Sequence, residues 1–359
     1  MGRDAKISFA GMKKIFKKIR KFLLLILFLA VLGIGAYLAW SKDGQTVEIS
    51  QGDSFPSATP ESAFPLSPIS GLSCADAARR PVAVMLSGDA VTRPLSGIGE
   101  ADLVFNMLVT PDGITRLMAV YVCGNPKEIG SVRSARHDYI PLARGLDAIY
   151  AHWGGSHFAL DKLNKGIMDN IDALRNPYSA FYRKSNIEAP HNGFASMSRL
   201  LEAAKKLSYR LEGQLSGYPH LDSIQKAAPS EAKALEIDYA GNFQVKYDYD
   251  PASNSYLRWR GGTKEVDKNT GQQIAAKNVV IIRAVSRPLE GQYNDVQVEG
   301  EGKATVFRND EQIDGVWKKN ASDQTSKLYF YDNAGQEIKF VPGQIWVEIV
   351  DPSQGVRWE

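Results

Sequence analysis

One stretch of the chain indicates both a fold and a site: it opens with Gly130-Ser-Val-Arg-Ser-Ala-Arg-His-Asp-Tyr-Ile-Pro141 and closes with Tyr150-Ala-His-Trp-Gly-Gly-Ser156. The quoted residues place two arginines and two histidines beside glycine-rich turns. Cationic and titratable side chains that gather at the ends of strands and helices are typical of binding and catalytic sites. We therefore expect a functional site here, although the stretch indicates no particular reaction.

The segments around this stretch predict alternating strands and helices. Apolar runs rich in β-forming residues predict strands over 81–86, 101–109, 114–122 and 147–153. Amphipathic spacing predicts helices over 133–146, 157–165 and 196–207, with Ser156 as the N-cap of the second. Strands interleaved with helices indicate an α+β or layered α/β domain over 72–215.

The pattern changes in the last third of the chain. From about residue 237, short runs of alternating apolar and polar residues are separated by turn signals such as Gly261-Gly and Asn333-Ala-Gly. This spacing predicts a small, mostly antiparallel β domain over 241–359. The Ala-rich and charged segment over 216–240 is interpreted as the connection between the two domains.

The N-terminal region predicts a membrane anchor. Residues 1–21 carry eight lysines and arginines against one acid, and residues 22–40 carry no charge. As a helix, residues 22–40 would span about 28 Å, close to a bilayer core of about 30 Å. Tyr37 and Trp40 stand where interfacial aromatic residues are expected, so the basic tail stays in the cytoplasm and the bulk of the chain lies outside.

Two other interpretations of this apolar segment compete with an uncleaved transmembrane helix. The segment is longer than the apolar region of a cleaved signal peptide. Cleavage after Ala39 or Ala36 would also place Tyr37 or Ile34 where signal peptidase requires a small residue. A buried core helix would need an amphipathic face, which is missing here. Residues 41–71, rich in Ser, Pro, Gly, Asp and Gln, predict a disordered tether.

Charge and cysteine content narrow the possible functions. Without its basic tail the chain is slightly acidic, which argues against a nucleic-acid-binding protein. Cys74 and Cys123 are the only cysteines. A disulfide is permitted outside the membrane, but Cys123 follows an apolar run and is equally consistent with a buried strand thiol, so their pairing stays open.

Several motifs resemble the YerB-like bacterial lipoproteins, a family with a domain of unknown function and a companion C-terminal domain. The resemblance covers roughly residues 72–350. It is carried by Arg93-Pro-Leu-Ser-Gly, Gly113-Ile-Thr-Arg, Gly130-Ser-Val-Arg-Ser-Ala-Arg, Tyr150-Ala-His-Trp-Gly-Gly-Ser, Phe181-Tyr-Arg, Ala189-Pro-His-Asn, Val266-Asp-Lys-Asn-Thr-Gly-Gln and Pro342-Gly-Gln-Ile-Trp-Val-Glu. It implies an envelope protein of a Gram-positive-type bacterium and supplies no reaction. Since no cysteine lies near Trp40, a transmembrane helix would replace the family's lipid anchor.

These motifs and the arginines at predicted element ends define the candidate site. The candidate acid/base groups are His152 and His191. The candidate ligand-binding residues are Arg93, Arg116, Arg133, Ser134, Arg136, Gly155, Ser156, Arg183 and Asn192. Guanidinium groups match phosphate or carboxylate oxygens, and a helix that begins at Arg133 would add free backbone N–H groups. The competing interpretation is that these arginines form internal ion pairs with Asp102, Asp138 or Asp147.

Two function hypotheses follow. The first is binding of an anionic envelope polymer or a partner protein through an Arg/His cleft, with a regulatory role as one form of this hypothesis. The second is a hydrolase or transferase acting on a phosphorylated or carboxylated envelope substrate, with His152 and His191 as acid and base. The Gly-x-Ser-x-Gly elbow and the His-Glu-x-x-His pattern are both missing. We therefore expect no catalytic serine, no metal and no cofactor, and leave open whether the chain is an enzyme.

Overall fold

The computed structural model describes residues 64–223 and 233–359, which belong to one compact unit, Ser62–Glu359. The predicted basic tail (1–21), the predicted transmembrane helix (22–40) and most of the predicted tether lie outside the described residues. Within the two described ranges, no helix has both the length and the apolar character needed to cross a bilayer.

The described residues are rich in β-structure and contain few helices. The strands are β1 (Val82–Ser87), β2 (Leu103–Leu108), β3 (Thr115–Tyr121), β4 (Ile129–Gly130), β5 (Ile149–His152), β6 (Asn170–Asp172), β7 (Phe181–Arg183), β8 (Gly193–Ala195), β9 (Ala234–Ile237), β10 (Val245–Asp250), β11 (Ser255–Arg260), β12 (Thr263–Lys264), β13 (Ala275–Ala276), β14 (Asn278–Arg283), β15 (Ser286–Pro288), β16 (Asn294–Val296), β17 (Gly300–Arg308), β18 (Glu311–Lys319), β19 (Tyr329–Asp332), β20 (Ile345–Val350) and β21 (Val356–Trp358). The α-helices are α1 (Tyr139–Gly145), α2 (His157–Leu163) and α3 (Met197–Lys206).

A mixed ten-stranded sheet organises the molecule, with the strand order β19-β18-β17-β14-β20-β2-β3-β1-β5-β6. β20 runs parallel to both β2 and β14, and β5 runs parallel to both β1 and β6. Five strands from the C-terminal half therefore extend the sheet of the N-terminal half. The sequence predicted a separate β domain over 241–359. Its strands are instead divided between this sheet and smaller ones.

The second sheet has six strands, β12-β11-β10-β9-β21 with β13 beside β11. β9 lies within the predicted connection 216–240, so that connection is shorter than the sequence suggests. Two smaller sheets complete the structure: the hairpin β15–β16 and the three-stranded β4-β8-β7.

The central strands of the ten-stranded sheet (β14, β20, β2, β3, β1 and β5) are buried on both faces. In β1 the side chains alternate, with Val82, Val84 and Leu86 in one hydrophobic cluster and Ala83 and Met85 in the other. The six-stranded sheet and α3 contribute to the first cluster, whereas α1 and α2 contribute to the second. Strands buried on both faces are uniformly apolar, which explains why β1, β2 and β3 could be predicted as short apolar runs.

The predicted C-terminal boundary of the tether (41–71) lies too late in the sequence, because its last residues are folded. Ser67 and Ser70 donate hydrogen bonds to Asp102 Oδ1 at 2.9 and 2.5 Å, and Ile69 is fully buried. Residues 64–71 therefore belong to the folded unit. Beside them, Cys74 and Cys123 form a disulfide with Cα atoms 5.8 Å apart, which resolves the pairing that the sequence left open.

Candidate functional site

Several predicted arginines meet beyond the carboxyl end of β1. Ser87, the last residue of β1, pairs with Arg116 of β3. The backbone N–H of Arg133 donates to Met85 O at 2.9 Å, and that of Trp153, just after β5, donates to Arg133 O at 3.0 Å. β1 and β5 are parallel, so their carboxyl ends share one edge of the sheet. Crevices at the carboxyl ends of parallel strands are common ligand sites in open sheets.

The segment around Arg133 is extended, which corrects the predicted helix over 133–146. Several of its backbone N–H groups are already used: Val132 N donates to Gly193 O at 2.8 Å and Ala135 N to Gly154 O at 2.8 Å. The helix α1 begins only at Tyr139. The predicted anion site at a helix N-terminus near Arg133 and Ser134 is therefore wrong, because no free helical N–H groups exist there.

Arg116 is buried without an ionic partner. It is 5% exposed, and Nη1 donates to Ser134 O at 3.1 Å. Across 64–223 and 233–359, no carboxylate lies within 4.0 Å of its guanidinium, and Nε has no hydrogen-bond partner. Burial, and then the nearby charges of Arg136 and Arg133, lower the pKa of Arg116 to about 9. The side chain thus lies in a positive, poorly hydrated environment.

Arg136 is in a similar position. It is 8% exposed, and its guanidinium carbon lies 5.1 Å from the ring centroid of Tyr293, which is a cation–π contact. Its Nε has no hydrogen-bond partner, and no carboxylate of the described residues lies within 4.0 Å. Burial lowers the pKa of Arg136, and the charge of Arg133 lowers it further. An aromatic face offsets only part of the cost of burying a guanidinium.

Arg133 is the most accessible of the three and pairs with Asp89. Its Nη2 lies 3.5 Å from Asp89 Oδ2, and its Nη1 donates to Pro190 O at 3.3 Å. His191 Nδ1 lies 4.0 Å from the same Asp89 oxygen, to which Ser87 Oγ donates at 2.8 Å. Asp89 is the site residue that the sequence analysis missed. The only available signal was an acid two residues after an apolar strand.

Together these side chains form a positively charged group that we call the arginine cluster (Arg116, Arg133 and Arg136). The charges of Arg136 and Arg133 help to lower the pKa of Arg116, and the charge of Arg133 helps to lower the pKa of Arg136. Asp89 is the single carboxylate that pairs with any of them among the described residues. Three guanidinium groups against one carboxylate leave a net positive charge that favours an anion.

The acids expected to neutralise these arginines lie elsewhere. Asp147 pairs with Arg210 Nη2 at 2.6 Å, and Asp102 accepts hydrogen bonds from the hydroxyls of Ser67 and Ser70. Asp138 Oδ1 lies 3.0 Å from His137 Nε2. The predicted internal ion pairs between the arginine cluster and Asp102, Asp138 or Asp147 are therefore wrong.

His152 has a structural environment rather than a catalytic one. It has 0% exposure, with Nδ1 2.8 Å from Gly154 O and Nε2 3.2 Å from Asn170 Oδ1. Burial lowers its pKa, which favours the neutral ring. Because both ring nitrogens are engaged away from solvent, His152 holds the turn after β5. The structure does not bring His152 into contact with Asp89, the carboxylate beside His191.

Two further predicted residues shape the same turn. Ser156 Oγ accepts a hydrogen bond from Ala159 N at 3.2 Å, so it caps α2 as the sequence predicted. Gly155 lies opposite Ala135, and a Cβ there would approach the Ala135 Cβ to 3.2 Å. Both residues are thus explained by local structure.

The remaining predicted ligands lie outside the arginine cluster. Arg183 is exposed, stacks on Trp153 with its guanidinium carbon 4.3 Å from the ring centroid, and donates to Asn192 Oδ1 at 2.5 Å. Arg93 donates to backbone oxygens, including Asn242 O at 2.6 Å. Burial, and then the charge of Arg260, lower the pKa of Arg93 to about 10. Arg93 therefore links the N-terminal half to the six-stranded sheet.

The chain is similar to known proteins over most of its length. Residues 69–210 match the family described as "Protein of unknown function (DUF3048) N-terminal domain", and residues 235–347 match its C-terminal domain. YerB of Bacillus subtilis (strain 168), whose name describes it as a candidate lipoprotein, is 31% identical over 277 residues, covering 76% of this chain and 81% of YerB. A crystal structure of YerB protein from Bacillus subtilis, at 28% identity, gives a TM-score of 0.73 and covers 81% of this chain and 99% of that one.

These matches confirm the resemblance that the motifs indicated. Both family domains occur in order, and the aligned region extends across the shared ten-stranded sheet. The chain belongs to the YerB-like family and carries both the N- and the C-terminal DUF3048 domain.

Proposed function

We propose that the chain is an extracytoplasmic protein of the bacterial cell envelope that binds an anionic ligand through the arginine cluster. The location rests on two observations: the relative YerB carries the name of a lipoprotein, and residues 1–40 combine a basic tail with an uncharged segment long enough to span a bilayer. In this proposal the N-terminus is cytoplasmic and a single transmembrane helix replaces the lipid.

One observation carries the binding function: Arg116 and Arg136 are both more than nine-tenths buried without a carboxylate partner in the described parts of the chain. A buried, unpaired charge is strongly unfavourable. Such residues are retained at functional sites, where a ligand supplies the missing charge. A phosphate or carboxylate group of an envelope polymer, or an acidic segment of a partner protein, has the required oxygens.

The accessible side of the cluster indicates how the ligand enters. Arg133 and His191 are partly exposed, and both point to Asp89, which also accepts from Ser87. An anion that approaches Arg133 would compete with Asp89 and reach the buried guanidinium groups behind it. Asp89 therefore holds Arg133 in place until the ligand binds.

A hydrolase or transferase has weaker support, because the two proposed acid/base groups have different surroundings. His152 is sealed in the turn after β5, and only His191 is open to a ligand at the arginine cluster. One partly exposed histidine beside a bound anion is consistent with binding of that anion without any reaction. We therefore favour a binding protein over an enzyme.

Binding can be tested on the full chain in non-ionic detergent by calorimetric titration with glycerol phosphate, a poly(glycerol phosphate) and citrate. The double variant Arg133→Ala/Arg136→Ala should bind at least tenfold more weakly, since each charge-assisted hydrogen bond contributes about 1.5–3 kcal/mol. The matched control is Arg175→Ala, an exposed arginine that donates to Asn164. Equal affinity in wild type and double variant would refute the proposal.

A further inference from the structure

A second polar site lies between the start of α1 and the hairpin β15–β16. A cavity of about 210 Å³ separates them. Its lining includes His137 and Asp138, which immediately precede α1, and Asp295 of β16. These residues come from the two halves of the chain, and none of them belongs to the arginine cluster.

Three potential metal-binding atoms converge in this cavity. His137 Nε2 lies 3.0 Å from Asp138 Oδ1 and 3.2 Å from Asp295 Oδ1, and the three atoms lie within 4.8 Å of one another. Zinc bonds to His and carboxylate ligands are about 2.0–2.2 Å long, which places neighbouring ligand atoms about 3.3 Å apart in a tetrahedral site. The two distances from His137 Nε2 match the edges of such a coordination polyhedron, and the two carboxylate oxygens lie within 4.8 Å of each other.

Asp138 gives an independent indication of a missing cation. It is 3% exposed, and Oδ1 accepts a hydrogen bond from Val296 N at 3.2 Å. Its second oxygen, Oδ2, is buried and has no hydrogen-bond partner. An ionised carboxylate that is buried with one oxygen unpartnered is costly in this environment. A cation in the cavity would remove that cost.

We propose that His137, Asp138 and Asp295 bind one divalent transition-metal ion of the zinc class. One imidazole nitrogen and two carboxylate oxygens are ligands that Zn²⁺ accepts, and they leave a coordination position for water or an incoming group. Glu299 also lines the cavity and adds a third acid against Lys162 and Arg287. The phenyl ring of Phe158, with its centroid 5.5 Å from that of His137, orients the imidazole.

The bound ion would connect distant parts of the chain, since Asp295 lies 157 residues after Asp138. The hairpin that carries Asp295 also carries the loop residue Tyr293, which covers Arg136. The metal would therefore fix the hairpin against α1 and hold Tyr293 over the arginine cluster. The metal site does not depend on anion binding, so the two proposals can fail separately.

The test uses the full chain in non-ionic detergent, stripped with a chelator and then dialysed free of it. Titration with Zn²⁺ by calorimetry should show one saturable site per chain, and Zn²⁺ should raise the melting temperature. Asp295→Asn should weaken this binding at least tenfold and remove the thermal shift. Because Asp295 is exposed at the hairpin, this variant should fold even if Asp138→Asn does not.

The matched control is His157→Gln. His157 is an exposed neighbouring histidine whose Nε2 lies 3.7 Å from Glu290 Oε1, and within 64–223 and 233–359 this pair is not part of a group of three potential metal ligands. This variant should bind Zn²⁺ as wild type does. The proposal is overturned if the wild type shows no saturable Zn²⁺ site, if Asp295→Asn binds equally well, or if His157→Gln alone removes binding.

Discussion

Arg116 is the residue on which the proposed anion site depends most, and its burial makes a prediction about stability. Replacing an unpaired buried charge by an apolar side chain of similar length relieves its desolvation cost. We expect Arg116→Met to abolish binding of glycerol phosphate while the melting temperature stays unchanged or rises. Calorimetric titration and thermal unfolding of the same preparation measure both effects.

Arg80 is the matched contrast, because it is also buried but has its partners. Its Nη1 lies 2.5 Å from Asp169 Oδ2, and its Nε donates to Asp147 O at 2.7 Å. Arg80→Met should lower the free energy of unfolding by about 2 kcal/mol, since charge-assisted hydrogen bonds are lost. If Arg116→Met destabilises the protein as much as Arg80→Met, Arg116 has a structural role and the anion site is refuted.

The same residue predicts how binding depends on pH. The protonated guanidinium binds the anion, and burial together with Arg136 and Arg133 lowers the pKa of Arg116 to about 9. A phosphate monoester is already dianionic well below this pH. The dissociation constant for glycerol phosphate should therefore increase about tenfold between pH 8 and pH 10 at constant ionic strength. A flat profile to pH 10 would show that Arg116 keeps its proton throughout this range, and the loss of binding in Arg116→Met then remains the test of its charge.

At the residue scale, the sequence pointed to the arginines as candidates but not to their environment. Arg116, Arg133 and Arg136 were chosen as candidates because guanidinium groups at element ends are rare without a partner. Asp89 and Asp295 could not, because nothing local marks an acid that meets its partner across the fold. His152 was misinterpreted because a histidine in a glycine-rich motif looks the same whether it holds a turn or faces a ligand.

At the scale of elements, a buried ionic network joins the six-stranded sheet to the ten-stranded one. Nη2 of Arg258 (β11) lies 3.0 Å from Oε1 of Glu348 (β20), and Arg258 also pairs with Glu265. Glu348 accepts further hydrogen bonds from Tyr247 OH at 2.6 Å and Asn106 Nδ2 at 2.7 Å. A network whose members are all bonded fixes the relative position of the two sheets.

Removing one carboxylate from this network should be costly. Glu348→Gln leaves Arg258 with one anionic partner, and we expect the free energy of unfolding to fall by about 3 kcal/mol in urea denaturation. The control is Glu236→Gln, which breaks an exposed pair with Arg357 on neighbouring strands and should change little, because water screens it. Equal effects in both variants would mean that the network contributes no more than a surface pair.

The elements themselves were predicted with uneven success, for physical reasons. β1, β2, β3 and β5 were predicted because strands buried on both faces leave apolar runs. α2 was predicted from its amphipathic spacing and the N-cap Ser156, and α3 from its amphipathic spacing; in the structure Ser196 also caps α3. The start of α1 was placed six residues too early, since residues 133–138 have helical composition but give their backbone hydrogen bonds to neighbouring strands and turns.

At the scale of the whole molecule, strand pairing joins the two family domains. β20, from the C-terminal half, lies between β14 and β2 and pairs with β2 from Leu103 to Met107. No sequence pattern reveals this arrangement, because a parallel partner 242 residues away (Ile345 opposite Leu103) leaves no local signal. An N-terminal half alone would expose the edge of β2 and lose the six-stranded sheet that covers one face.

We therefore expect the compact unit 62–359 to unfold as one body. Calorimetry should give a single peak, and far-UV circular dichroism and tryptophan fluorescence should report the same urea midpoint.

A chain ending at residue 223 should aggregate or stay unfolded, because the unpaired edge of β2 and its exposed apolar face both promote association. Co-expression of 62–223 with 224–359 should restore soluble protein, since the two pieces can complete the ten-stranded sheet. Two calorimetric peaks, or a soluble and folded 62–223, would show that the shared sheet does not couple the halves.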